Sequence, residues 1–200
     1  MSTPVAIIDS GGANIASLLF ALERLGVNAE LTVDHNTIRR AKRVILPGVG
    51  AAADAMSRLQ AHDLSQLIAD LRQPVLGICL GMQLLARRSD EHDTTCLGII
   101  PAEAALLPAS ETTPVPNMGW CRIRKHTDHP LMDGIDDASW FYFVHSYALP
   151  PGDYSIATAQ HAGEFCAIAA HGNFFAAQCH PERSASAGAR LLQNFLALPS

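Results

Sequence analysis

The chain has 200 residues, of which 48% are apolar and only 16% charged. Fourteen Lys and Arg against nineteen Asp and Glu leave a net charge of −5, which excludes the basic footprint that a nucleic acid or an anionic membrane surface would require. The composition also excludes intrinsic disorder, collagen-like repeats and coiled coil, and so little charge on a chain of this size points to an apolar face that meets another protein.

In chain order, residues 5–9 read as a short buried strand, followed by a turn at 11–14 in which Asn14 is a plausible N-cap. Ile15, Leu18, Leu19, Leu22 and Leu25 fall at helical spacing, and Gly26 ends that helix. Residues 27–33 and 43–46 read as strands, the second broken by Pro47-Gly48. Leu64, Leu67, Ile68 and Leu71 repeat the helical spacing, 75–79 is another apolar strand, and 83–88 is expected to continue as a helix. This alternation predicts a parallel sheet with helices on both faces. From 96 to 177 the strands shorten and turn residues multiply, with candidates at 140–147, 155–159, 165–170 and 174–179, so a mixed or antiparallel section is expected there. Residues 185–198 close the chain as a helix. Without repeats or linkers, the expected architecture is one α/β domain over 1–200, an open, mostly parallel sheet flanked by helices with an added antiparallel section.

The cysteines number five, at 79, 96, 121, 166 and 179, and no two form a C-x-x-C pair. Neither a disulfide framework nor a zinc knuckle is expected. The opening residues carry no basic leader, and the longest apolar run, 75–86, is too short for a hydrocarbon core of ~30 Å. Reduced thiols in the cytoplasm are the expected setting.

Three segments carry chemistry. Gly77-Ile78-Cys79-Leu80-Gly81 joins a strand to a helix with the spacing of a nucleophile elbow. Glycines on either side permit a tight turn that lifts Cys79 above the carboxyl edge of the sheet. There the helix N-terminus favours a thiolate and the Leu80 N–H faces a forming oxyanion. Alone, the pattern serves equally as a buried core cysteine beside a helix-packing glycine. Gln178-Cys179-His180-Pro181-Glu182 tips the balance. Read as extended, it sets His180 and Glu182 on one face, roughly 6.6 Å apart along a strand. Glu182 then orients the imidazole as a base, while Cys179 turns away as filler. Leu46-Pro47-Gly48-Val49-Gly50 ends a strand beside the elbow, where the N–H of Val49 or Gly50 is the natural second oxyanion donor; a plain turn is the alternative. His145 has no carboxylate two residues away to orient it, so a structural or substrate-contacting role is expected. The other histidines, the basic run 39–43 and Arg87-Arg88 read as solvated surface.

Pro-Gly-Val-Gly at 47–50, Gly-Ile-Cys-Leu-Gly-Met-Gln at 77–83 and His-Pro-Glu at 180–182 together resemble the class I, triad-type glutamine amidotransferases. Within that class, Pro116-Asn117-Met118-Gly119-Trp120, residues 142–147 and Asn14-Ile15 are similar to the glutaminase branch of imidazole glycerol phosphate synthase. The resemblance implies a flavodoxin-like fold with Cys79, His180 and Glu182 as triad and Val49 and Leu80 as oxyanion donors. It also implies Gly50, Gln83, Ser146 and Tyr147 around L-glutamine, and Asn14, Met118 and Trp120 facing a (β/α)8-barrel cyclase subunit. No metal or organic cofactor is implied. The Met118-Gly119-Trp120 segment argues against a glutaminase of the anthranilate, aminodeoxychorismate or pyridoxal phosphate pathways. Gln83 and the His-Pro-Glu end argue against a stand-alone cysteine hydrolase on the same fold, and an intact triad argues against a non-enzymatic interaction module.

Overall fold

Apolar strands and amphipathic helices alternate through the first half of the chain. The structure, a computed structural model, describes residues 5–11 and 15–199. The elements run β1 (Val5–Ile8), α1 (Ile15–Arg24), β2 (Ala29–Thr32), α2 (His35–Arg40), β3 (Arg43–Gly48), α3 (Ala52–Ala61), α4 (Leu64–Ala69), β4 (Val75–Cys79) and α5 (Leu80–Leu85). The second half adds β5 (Arg88–Ser89), β6 (Thr94–Thr95), β7 (Glu103–Leu106), β8 (Asn117–Lys125), β9 (Trp140–His145), β10 (Tyr147–Ala148), β11 (Ser155–Gln160), β12 (Glu164–His171), β13 (Phe174–Ala177) and α6 (Ala185–Ala197).

Among the described residues, nine strands form one sheet in the order β2-β1-β3-β4-β13-β12-β11-β8-β9. The pairs from β2 to β13 are parallel, and those from β13 to β9 antiparallel. The expected antiparallel section is thus a continuation of the same sheet. A smaller sheet, β10-β7-β5-β6, stands beside it. Along β1 the side chains alternate between two cores, Val5 and Ile7 on the face packed by α1 and α6, Ala6 and Ile8 on the face packed by α2, α3, α4 and α5. Burial on both faces is what makes the central strands read as unbroken apolar runs.

Four expectations are corrected. The helix expected at 83–88 begins at Leu80 and ends at Leu85, and Arg88 is already in a strand. α2, α3, β8 and the short strands β5, β6 and β7 have no counterpart in the expected elements; β8 carries Met118, Trp120, Arg122 and Arg124 on its exposed positions, and α3 contains only weakly apolar alanines along much of its buried side. The strand expected through residue 179 stops at Ala177, so His180 and Glu182 belong to an extended residue and a following 3-10 turn rather than to one strand face. Arg43 is not solvated surface. It is buried and donates through Nε to the Phe195 carbonyl at 3.3 Å, and also to the Leu198 and Lys42 carbonyls, latching the end of α6 to the start of β3.

The link between β4 and α5 fixes the site. A Cβ on Gly81 would lie 1.8 Å from the Leu46 carbonyl oxygen, and one on Gly77 would lie 2.8 Å from the Gly81 carbonyl oxygen. Backbone therefore touches backbone where α5 crosses β3 and β4. Gly81→Ala is expected to cost about 3 kcal/mol or more, because no side-chain rotation relieves a clash with a carbonyl. Urea unfolding checks this, and an unchanged midpoint would show that β3 yields freely.

Candidate active site

Cys79 sits at the junction of β4 and α5 with φ 53° and ψ −109°. A non-glycine residue in this region is strained by about 1–3 kcal/mol. The conformation starts α5 immediately after the cysteine, so the Leu80 N–H lies in the first helical turn, where the helix supplies no carbonyl partner. β3 runs alongside, its Gly48 in register with Cys79. The ladder between β1 and β3 extends only to Ile7 and Ile45. Beyond it, the buried Ser10 hydroxyl donates to the Pro47 carbonyl at 2.7 Å and holds the strand end that leads into Val49 and Gly50.

The chain brings His180 to the same place from β13. His180 Nδ1 and Glu182 Oε1 are 2.9 Å apart, and both side chains are almost fully buried. The 3-10 turn thereby achieves the orientation that was expected of a strand. Burial works against a charge on His180, but its hydrogen bonds to Cys79 and Glu182 outweigh burial and raise its pKa to about 10. The Nδ1 partner leaves Nε2 on the side of the Cys79 thiol. Burial pushes the Cys179 thiol well above its ordinary range, consistent with filler.

These groups open into a cleft of about 260 Å³ lined by Val49, Gly50, Cys79, Leu80, Gln83, Glu91, Ser146, Tyr147 and His180, with His145 and Pro116 at its wall. Both expected oxyanion donors and all four expected substrate contacts therefore share one pocket with two of the triad residues. Glu91 has no counterpart in the expected set. It lies in a short turn beyond α5, and Oε2 accepts the Ala52 N–H at the start of α3 at 2.7 Å. Its only sequence signal is the acidic run 90–93, which reads as surface.

Polar groups behind the cleft form a chain with a defined direction. The Tyr147 carbonyl can only accept, and it receives Gln83 Nε2 at 2.9 Å and His145 Nδ1 at 3.0 Å. His145 therefore carries its proton on Nδ1 and, when neutral, accepts from Asn117 Nδ2 at 3.2 Å through Nε2. Gln83 spends its other N–H on Gln178 Oε1 at 3.3 Å, so only its carbonyl oxygen remains for a ligand.

The expected partner-facing residues lie elsewhere. Met118 and Trp120 point outward from β8, 66% and 48% exposed. Trp120 meets Tyr142 edge-on at 5.8 Å, and Arg183 lies 5.0 Å over the Tyr142 ring. Asn14 lies outside the described residues. Among the described residues, no group of three or more His, Cys, Asp or Glu is arranged to hold a metal, and no helix is long and apolar enough to cross a membrane.

A strained cysteine at a strand–helix turn, an imidazole–carboxylate pair and backbone N–H groups around one cleft are the parts needed for acyl transfer through a thioester. The family model for class I glutamine amidotransferases matches residues 6–198. Over 204 residues the chain is 45% identical to the imidazole glycerol phosphate synthase subunit HisH of Vibrio cholerae, covering 99% of this chain and 100% of that one. It is 48% identical to the corresponding HisH 2 subunit of Legionella pneumophila, covering 98% of each. A solved structure of a glutamine amidotransferase superposes with a TM-score of 0.75 at 17% identity, over 96% of this chain and 97% of that one. The chain belongs to the class I glutamine amidotransferases and, among them, to the family of HisH subunits.

Burial lowers the pKa of His145 from 6.5 to about 4, with the Tyr147 carbonyl opposing that shift and His161 and His180 adding to it. Between these two values the unfolded chain binds more protons, so stability falls as the pH drops through this window. His180 is shifted the other way: its contribution is complete below 6.5 and lost as the pH rises through about 10, so the acid window belongs to His145 together with His129, whose pKa burial also lowers. His145→Gln is expected to flatten the loss of stability between about pH 7 and about pH 4.5 in urea unfolding. An acid limb as steep as that of the unaltered protein would count against the buried neutral imidazole.

Proposed function

We propose that the chain is the glutaminase subunit of imidazole glycerol phosphate synthase, hydrolysing L-glutamine and passing the ammonia to a (β/α)8-barrel cyclase subunit. The cyclase uses that ammonia to form imidazole glycerol phosphate and aminoimidazole carboxamide ribonucleotide in histidine biosynthesis. The observation that carries this reading is the Cys79–His180–Glu182 arrangement at one cleft in a chain 45–48% identical to HisH subunits over nearly its full length.

Residues 1–200 act as a single glutaminase domain. Cys79 loses its proton to His180 and attacks the side-chain amide carbon of glutamine, the Val49 and Leu80 N–H groups receiving the negative oxygen. Collapse breaks the carbon–nitrogen bond, and His180 gives its proton to the leaving nitrogen, releasing ammonia and a glutamyl thioester. The now neutral His180 takes a proton from water as it attacks the thioester; the carbon–sulfur bond breaks, His180 returns the proton to Cys79 and glutamate departs. Glu182 holds the imidazole throughout. Gly50, Gln83, Ser146 and Tyr147 surround the glutamine. The Glu91 carboxylate supplies the negative charge that an α-ammonium group requires.

The exposed Met118 and Trp120 belong to the face that meets the cyclase. Large exposed apolar groups on a strand are what a docking surface needs. Free thiols at all five cysteines support a cytoplasmic setting.

Reconstitution with the cyclase tests the proposal. Cys79→Ala is expected to abolish product formation from glutamine, with a loss of at least about a thousandfold, while formation from ammonium salts persists. Equal loss of both would exclude an ammonia-donating role.

A further inference from the structure

We propose that Gln178 is a catalytic residue: its side-chain N–H donates to Cys79 Sγ and stabilises the thiolate. The proposal rests on Cys79 being the nucleophile. Gln178 is wholly buried, and its Nε2 lies 3.8 Å from Cys79 Sγ.

The direction of this amide follows from a carbonyl two hydrogen bonds away from it. The Tyr147 carbonyl can only accept, so the Gln83 atom facing it is nitrogen. The second hydrogen of that nitrogen points at Gln178, so the Gln178 atom facing Gln83 is oxygen. The nitrogen of Gln178 is then left toward the sulfur. Turning the amide over would set N–H against N–H at Gln83 and a carbonyl against Sγ. An anion that accepts a buried N–H gains more than a neutral thiol does.

The same segment supplies the base. In the extended stretch after β13, Gln178 and His180 fall two residues apart and both reach Cys79, while Cys179 between them is fully buried in the core. Other groups also act on the sulfur. His180, with Glu182 behind it, favours the thiolate. The Val144 carbonyl at 3.6 Å accepts from the thiol and opposes ionisation. The Glu91 carboxylate across the cleft opposes it too, His145 is held neutral, and the Cys179 thiol stays protonated. Gln178 is the donor that offsets the Val144 carbonyl without adding charge to the site.

The test is the pH dependence of Cys79 alkylation by iodoacetamide in the full chain, with Cys79→Ala as the blank for the other cysteines. Gln178→Met is expected to move the midpoint upward by about one pH unit, which is about a tenfold loss of thiolate at neutral pH. Gln178→Asn withdraws the N–H from the sulfur without adding charge, so its midpoint is expected to rise in the same way. It decides the matter if the Met variant does not fold. An unchanged midpoint in a folded variant overturns the role of Gln178. Because the readout uses no glutamine, it is separable from the glutaminase assignment, which fails instead if Cys79→Ala still hydrolyses glutamine.

Discussion

The site depends on one backbone constraint, the positive φ at Cys79. A residue held at φ 53° and ψ −109° has no local reason to stay there. It stays because α5 is pressed against β3 and β4 through Gly81 and Gly77, at separations where a single added carbon would collide with backbone. That contact sets the distance between helix and sheet, and so the height of the sulfur above the strand ends. It also places the Leu80 N–H at a helix start, beside the segment that ends β3. Strain of this kind persists only when the surroundings over-determine it, and here two buried cores grip the turn from both faces of the sheet.

Around that turn, polar groups are arranged so that each has one available orientation. The Tyr147 carbonyl receives two donors, and their identity fixes the tautomer of His145 and the amide planes of Gln83 and Gln178 in sequence. Such a relay places polarity next to a nucleophile without mobile charge. In a buried setting, every member satisfied by a defined partner keeps the cleft rigid. Glu91 joins the cleft to α3 in the same manner, one oxygen on a helix-start N–H.

Much of this was legible in the sequence. The buried parallel strands announce themselves as apolar runs, and the glycine spacing about Cys79 has few other uses. His180 and Glu182 meet not as neighbours on one strand face but because Pro181 ends the extended stretch and a 3-10 turn brings the carboxylate round. Glu91 stayed hidden because an acidic residue in an acidic loop looks solvated until the fold closes over it. Gln178 and Arg43 were missed for a related reason. Their surroundings come from β4, α5 and α6, elements distant in the chain, and nothing local distinguishes a buried amide or guanidinium from an exposed one. β8 was missed because an outward row of Met, Trp and Arg masks the alternation of a half-buried strand.

Arg43 and Gly48 are the two ends of β3. One end is pinned under the last turn of α6, while the other stands in register with Cys79 and leads into Val49 and Gly50, which line the cleft. With β1 and β4 hydrogen-bonded on either side, the strand has no freedom to slip along its axis. The Val49–Gly50 segment thus starts from a platform whose position along the sheet is set at the far end of the strand, by a guanidinium on the opposite side of the molecule from the sulfur.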